Sequence, residues 1–259
     1  MLKVTLLQWN QVANDVKEQG FTAIRIEGFD CKALDMASSA AAAAGLQVLA
    51  GIWVYGTIAN SVVQINNDIQ TFRAAYKKYG SARYLGLTIG NEVADSPNNI
   101  MIKVHDVRMT GYLGSVGVTT PVSTAHNWVT VRDNPALCGG DFAGANAHAF
   151  YDGNFDSNQT GDFVFKTVVP ALKNACPGKK IYITESGWPS RGPNNQKAEA
   201  SIADERSAIV NLNCAARDDT SISVFAFEYD DQLWKNTAND QSFGIFGKVE
   251  LTGNALGVC

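Results

Sequence analysis

Two glutamates stand where acids are costly. Ile181–Ser190 (IYITESGWPS) runs as an apolar, β-favouring stretch into Glu185, turns at Ser186-Gly187 and continues into Trp188-Pro189, a rigid aromatic lip. Tyr84–Glu92 (YLGLTIGNE) does the same earlier in the chain, ending on Asn91-Glu92. A carboxylate at the end of a buried strand must be paired or working, because desolvating its charge is expensive. A salt bridge to a neighbour would satisfy either residue alone. Two acids on two strand ends are also the minimum equipment for cleaving a bond between sugars. One protonates the leaving oxygen, and the other attacks the anomeric carbon or activates water.

The elements that must position these acids alternate along the chain. Apolar runs at Thr22–Glu27, Gln47–Val54, Tyr84–Glu92, Gly117–Ser123, Ala145–Phe150, Lys180–Glu185 and Ser223–Phe227 predict strands, with one more short strand-like piece at Phe243–Phe246. Between them, Gln8–Gln19, Leu34–Ala44, Ile65–Tyr79, Asn98–Tyr112, Phe163–Ala175 and Lys197–Ala216 predict helices, several closed by glycine. Thr124–Leu137 is left as an excursion. Seven or eight strands alternating with helices indicate a parallel α/β sheet, and no GxGxxG follows a strand to suggest a dinucleotide fold. A (β/α)8 TIM barrel fits the 259 residues and the strand count, as a single domain over 1–259. For the first strand, either Leu2–Leu7 supplies it or it is truncated in this chain; truncation is the preferred expectation.

In such a barrel, chemistry sits at the C-terminal strand ends. Those ends deliver Glu27, Trp53 and Tyr55, Asn91-Glu92, Ser123-Thr124, His148 with Phe150 and Tyr151, Glu185 with Trp188, and Glu228, Tyr229 and Asp230. The set is aromatic and acidic, which suits a neutral sugar polymer: rings stack on pyranose CH faces and carboxylates accept hydroxyl hydrogen bonds. Blander roles compete. Trp53 and Tyr55 could be barrel core, His148 a structural hydrogen-bonder and Lys235 a solvated cation.

Composition narrows the partners. A net charge of −4 with scattered basic residues argues against nucleic acid or an anionic membrane, and no apolar run approaches the roughly 20 residues of a membrane span. Cys31, Cys138, Cys176, Cys214 and Cys259 show no zinc-ligand spacing. No cofactor or metal is expected. Wide spacing suits structural disulfides of an exported protein, with one thiol left over whose partner is expected near or before Leu2. No signal peptide opens the chain, and Met1-Leu2-Lys3 reads as an engineered start, so a cytosolic protein, a mature form or a recombinant version all fit. Asn158-Gln159-Thr160 is an N-glycosylation sequon compatible with export.

IGNE and ITESGWPS resemble the acid/base and nucleophile motifs of glycoside hydrolase family 17, in its fungal cell-wall β-1,3-glucanase and glucanosyltransferase branch. IRIEGFDC (Ile24–Cys31), GIW (Gly51–Trp53), NAHAFYDG (Asn146–Gly153), FEYDDQLWK (Phe227–Lys235) and FGIF (Phe243–Phe246) fall in the same order. The resemblance implies retention of configuration, with Glu92 as acid/base, Glu185 as nucleophile and Asn91 on the sugar 2-hydroxyl. It also implies substrate contacts by Glu27, Tyr55, His148, Tyr151, Trp188, Glu228 and Lys235. Glu27 departs from the tyrosine usual there, and Ala149 from the commoner proline. The implied partners are β-1,3-glucan oligo- and polysaccharides, handled by a secreted or wall-bound monomer. Phe150, Tyr151, Trp188 and Tyr229 are expected to form a stacking platform on the leaving-group side, which the short loops leave open to a polymer. A plain endo-β-1,3-glucanase, a non-catalytic glucan-binding wall protein and a β-1,4-specific barrel glycosidase stay open beside the transferase.

Overall fold

A computed structural model describes residues 5–109, 113–249 and 259. The chain divides into two compact units, Met1–Gly144 and Ala145–Cys259.

The first unit opens on helix α1, Leu6–Glu18. Thr5 and Gln8 form a reciprocal capping box, with each side chain accepting from the other's backbone N–H, and this fixes the start of α1. Leu6 and Leu7 are therefore helical. The part of the Leu2–Leu7 strand reading that falls on 2–4 lies outside the described residues. Strands β1 (Ala23–Ile26), β2 (Gln47–Ile52), β3 (Tyr84–Asn91) and β4 (Val122–Asn127) follow in chain order as parallel neighbours. Parallel strands need long crossovers, supplied here by α2 (Ala33–Ala44), α3 (Ile58–Tyr79) and α4 (Pro97–Met109). The alanine run of α2 buries Ala37, Ala40 and Ala41, so small side chains let this helix lie close to its neighbours. Helix α3 starts at Ile58 after the Thr57 cap, seven residues before the expected Ile65; Val62 and Val63 in its first turns are exposed, so the apolar residues there do not trace the buried face. The last residues of the expected Asn98–Tyr112 helix, 110–112, lie outside the described residues.

A short helix α5 (Trp128–Asp133) follows β4. The expected strand Gly117–Ser123 is corrected to Val122–Asn127. Pro121 cannot donate to a ladder and marks the strand's entry rather than its interior. Strand β5, Phe142–Asn146, begins in the first unit, where Ser123 Oγ donates to Phe142 O. It ends in the second, where Thr184 Oγ1 donates to Asn146 Oδ1 and Ala147 N to Glu185 O.

In the second unit, β6 (Lys180–Ser186) pairs in parallel with β7 (Ser223–Ala226). The preceding helix is α-helical over Thr160–Asp162 (α6), π-helical over Phe163–Val168 and α-helical again over Val169–Ala175 (α7). Helix α8, Ile202–Asp218, is tied to the chain end by the Cys214–Cys259 disulfide. Cys138 and Cys176 are also disulfide-bonded, and the odd thiol is the exposed Cys31. Phe243–Phe246 is not a strand. Its backbone instead bonds the turn after β7, through Glu228 N to Phe243 O, Ile245 N to Glu228 O and Phe246 N to Tyr229 O.

Glu205 on α8 is fully buried, with Oε2 3.4 Å from Lys248 Nζ, an ion-pair distance without hydrogen-bond geometry. The ammonium is held more closely by Ser190 Oγ (2.6 Å), Asp231 Oδ1 (2.7 Å) and Ser242 O (3.0 Å). Burial pushes the Glu205 carboxyl up to about 8, only partly countered by Lys248, while the nearby Asp231 adds to the rise. In the unfolded chain a glutamate titrates near 4.3. The folded state therefore keeps a proton that the unfolded state has already lost between those values. The stability this group contributes is full below about pH 4 and falls away as pH rises towards 8. At about 1.4 kcal/mol per pKa unit, the loss is on the order of a few kcal/mol. Thermal unfolding from pH 5 to 8 should show a falling Tm in the parent and a flatter profile in Glu205→Gln. Equal slopes would mean that Glu205 is not the group responsible.

Candidate active site

In the first unit, β1, β2 and β3 are parallel neighbours, so Glu27, Trp53, Tyr55, Asn91 and Glu92 follow strand ends on one edge of the sheet. Arg25, buried inside β1, organises two of them. One guanidinium nitrogen donates to Glu27 Oε1 at 2.9 Å and the other to Asn91 Oδ1 at 3.0 Å. The cationic donor on Oδ1 fixes the orientation of the Asn91 amide. Glu92 is exposed rather than buried, and its φ of +50° is in the left-handed region. A glutamate there is strained unless its surroundings hold it, and such strain concentrates at functional sites. Its N–H donates to Ala125 O of β4 at 2.9 Å, which fixes the turn. Trp53 is half-buried and Tyr55 exposed, edge-to-face at 6.3 Å, so the barrel-core role does not apply to Tyr55. The Tyr55 hydroxyl donates to Asp30 Oδ2 at 3.4 Å.

In the second unit, Glu185 is only 7 % exposed at the end of β6. His148 Nε2 lies 3.4 Å from Glu185 Oε2, a long contact, and the imidazole is boxed edge-on by Phe227 (5.2 Å) and Phe243 (5.4 Å). His148 is not on a strand: β5 stops at Asn146, and a single 3-10 turn, Ala149–Tyr151, follows it. After β7, Lys235 Nζ donates to Glu228 Oε1 at 2.7 Å and sits 4.5 Å above the Phe227 ring, so Lys235 is engaged rather than merely solvated. Burial pushes the Glu228 carboxyl up to about 7. Lys235 opposes the shift, and the charges of Glu185 and Asp230 add to it. Glu228 therefore feels the Glu185 charge, which places the two acids in one electrostatic neighbourhood. Tyr151 is exposed and its hydroxyl donates to Asp240 Oδ1 at 2.6 Å.

The Trp188 assignment is corrected. Its ring is 0 % exposed, packs edge-on against Phe150 at 5.4 Å, and its Nε1 donates to Glu199 O at 2.7 Å. It has no free face for a sugar, and burying so large a ring outweighs any role as a lip. Phe150 is buried too, and Tyr229 stacks on Phe246 at 4.8 Å. Of the expected platform, Tyr151 is exposed and Tyr229 half-buried, while Phe150 and Trp188 are buried.

No cluster of three or more His, Cys, Asp or Glu side chains that could hold a metal occurs among the described residues, and no helix there is long and apolar enough to cross a membrane. The sequence profile of the BtgE/BtgC glycoside hydrolase domain matches residues 5–247. The chain belongs to this glycoside hydrolase family. The resemblance to the fungal wall branch of family 17 holds in its relatives. The cell surface mannoprotein MP65 of Candida albicans is 32% identical over 236 residues, covering 87% of this chain and 58% of that protein. The probable family 17 glucosidase SCW10 of Saccharomyces cerevisiae is 29% identical over 241 residues, covering 91% and 58%. This family member thus spans little more than half the length of those relatives. Among solved structures, an active-site mutant of the Rhizomucor miehei β-1,3-glucanosyltransferase in complex with laminaritriose is similar, with a TM-score of 0.77 at 20% identity, covering 93% of this chain and 87% of that one. That likeness establishes the fold as the (β/α)8 barrel expected from the alternation, with seven strands among the described residues of this family member.

Sequence reasoning passed over Arg25 and Lys248, whose roles are positional. Arg25 left one signal, a cation alternating with isoleucines in a buried strand. Sequence reasoning also gave no role to Trp234, 77 % exposed, although that residue lies in the FEYDDQLWK segment.

Proposed function

We propose that this chain acts on β-1,3-glucan by a retaining mechanism, passing the cleaved glycosyl unit to sugar acceptors as well as to water. In the first step the Glu185 carboxylate attacks the anomeric carbon, the glycosidic C–O bond breaks, and the Glu92 carboxyl gives its proton to the leaving oxygen. In the second, the Glu92 carboxylate takes a proton from an incoming hydroxyl, whose oxygen displaces Glu185. Two inversions give net retention. Asn91 holds the 2-hydroxyl, an interaction that strengthens as positive charge develops on the ring. Glu27, Tyr55, His148, Tyr151, Glu228 and Lys235 bind the sugars. The protein is read as a monomer that is secreted or wall-bound.

The observation that carries this reading is Glu185: buried at a strand end, touched by His148 and electrostatically coupled to the Glu228–Lys235 pair. The retaining scheme and the β-1,3 linkage draw support from family membership and from the laminaritriose-bound relative. Transfer rests on competition between acceptors. Water is present at about 55 M, but an oriented bound hydroxyl can reach effective molarities far above that.

Incubation with a five-unit laminari-oligosaccharide, with products sized by mass, tests the proposal. Products longer than five units are expected at millimolar substrate. Only shorter products at every concentration would leave a plain hydrolase. Cleavage of β-1,4-glucan in place of β-1,3-glucan would overturn the linkage, and no cleavage of either would leave a binding protein.

A further inference from the structure

The loop after β7 carries an aromatic side chain that the scheme above does not use. Leu233 is 69 % and Trp234 77 % exposed. The indole is not loose. Its Nε1 donates to Gln232 Oε1 at 2.8 Å, and the Gln232 amide in turn donates to Asp230 Oδ1 (2.6 Å) and Asp230 O (3.1 Å). The backbone is fixed on both sides: Lys235 N donates to Gln232 O, Gln232 N to Gln241 O, and Gln241 Nε2 to Lys235 O at 2.7 Å. The next side chain, Lys235, reaches back to Glu228 and lies 6.0 Å from the Trp234 ring.

Leaving an indole in water forgoes a large burial gain. Holding it rigid as well means that the ordering cost of a partner docking on its face has already been met. The patch has only two side chains, far below the roughly 800 Å² per partner of a stable protein interface. It matches the apolar CH face of a single hexopyranose. We propose that Trp234, with Leu233 at its edge, forms an outer subsite that stacks on one glucose unit of a β-glucan chain. That chain runs outward from the units held by Glu228 and Lys235. The inference rests on the glucan reading above and extends it, because it makes affinity depend on chain length.

The test uses the full chain carrying Glu185→Gln, so that ligand is not consumed, and calorimetric titration with laminaritriose and with the six-unit laminari-oligosaccharide. The longer ligand is expected to bind at least about tenfold more tightly. Adding Trp234→Ala should bring that ratio within about threefold, while Trp234→Phe, which keeps an aromatic face, should retain most of it. Trp234 is exposed, so neither change should shift the unfolding temperature. A length ratio that Trp234→Ala leaves unchanged, or no ratio in the Glu185→Gln protein despite binding, overturns the subsite while leaving the glucan reading intact. Failure of Glu185→Gln to bind either oligosaccharide overturns both. Loss of a dimer on Trp234→Ala, seen by sedimentation, would assign the exposed pair to self-association and overturn the subsite.

Discussion

Glu185→Ala is expected to lower turnover of laminari-oligosaccharides by roughly 10⁴- to 10⁶-fold, the scale seen when an enzyme loses its nucleophile. The loss is that large because no covalent intermediate can form, and the remaining route needs water to attack in a space shaped for a carboxylate. Trimming the side chain also leaves room for a small anion. Added azide should therefore restore part of the activity with an activated glycoside. It attacks the anomeric carbon directly, so the glycosyl azide should have inverted configuration. Glu92→Ala should behave differently. The glycosyl-enzyme still forms on Glu185 when the leaving group needs no proton, and azide then displaces it to give a product of retained configuration. An inverted azide product from Glu92→Ala together with a retained one from Glu185→Ala would exchange the two roles. The buried setting of Glu185, with His148 at 3.4 Å, makes the experiment informative, since the alanine variant removes one side chain from a packed strand end without exposing the core.

The two acid-bearing strands were legible in the sequence to within a residue or so, as Tyr84–Asn91 and Lys180–Ser186. Each is a continuous apolar run with an abrupt polar stop, the pattern of a strand buried on both faces. β4 and β5 were less legible. VSTAHN (Val122–Asn127) is almost wholly buried but polar in type, so from Thr124 onward it reads as loop. Its polar groups are satisfied inside the fold, Ser123 Oγ by Phe142 O and Thr124 Oγ1 by His126 Nε2. His148 was found for its chemistry but misplaced on a strand. The small residues of FAGANAHAF give no mark of where the strand ends and the 3-10 turn begins. Trp188, expected as a lip, is buried, while Trp234, for which the sequence carries no burial expectation, stands in solvent. Exposure of an aromatic in a loop is set by what the rest of the fold lays over it, and nothing local encodes that. Arg25 is similar, since its two partners, Glu27 and Asn91, come together only when β1 and β3 flank β2.

Gly187→Ala is expected to cost the protein more stability than any other single methyl group added near Glu185. A Cβ built on Gly187 would lie 1.8 Å from Phe227 O and 2.9 Å from Phe227 C, with Phe243 Cδ1 at 3.2 Å. The obstacle is backbone, held in place by Phe227 N donating to Ser186 O at 2.9 Å, so no side-chain rotation can relieve it. The ends of β6 and β7 would have to part, breaking that bond and moving Glu185 relative to Glu228. Overpacking of this kind costs about 3 kcal/mol or more, which in a domain of this size is a fall in Tm on the order of 6–12 °C. Gly178→Ala is the matched control. Gly178 has φ +76° but no heavy atom within 4 Å of the new methyl, so only backbone strain of about 1 kcal/mol is expected. Thermal unfolding of the two variants distinguishes them. A Gly187→Ala protein as stable as Gly178→Ala, with undiminished turnover, would show that the strand ends separate freely. The glycine of the ITESGWPS motif would then be dispensable for holding Glu185 beside the turn that carries Glu228.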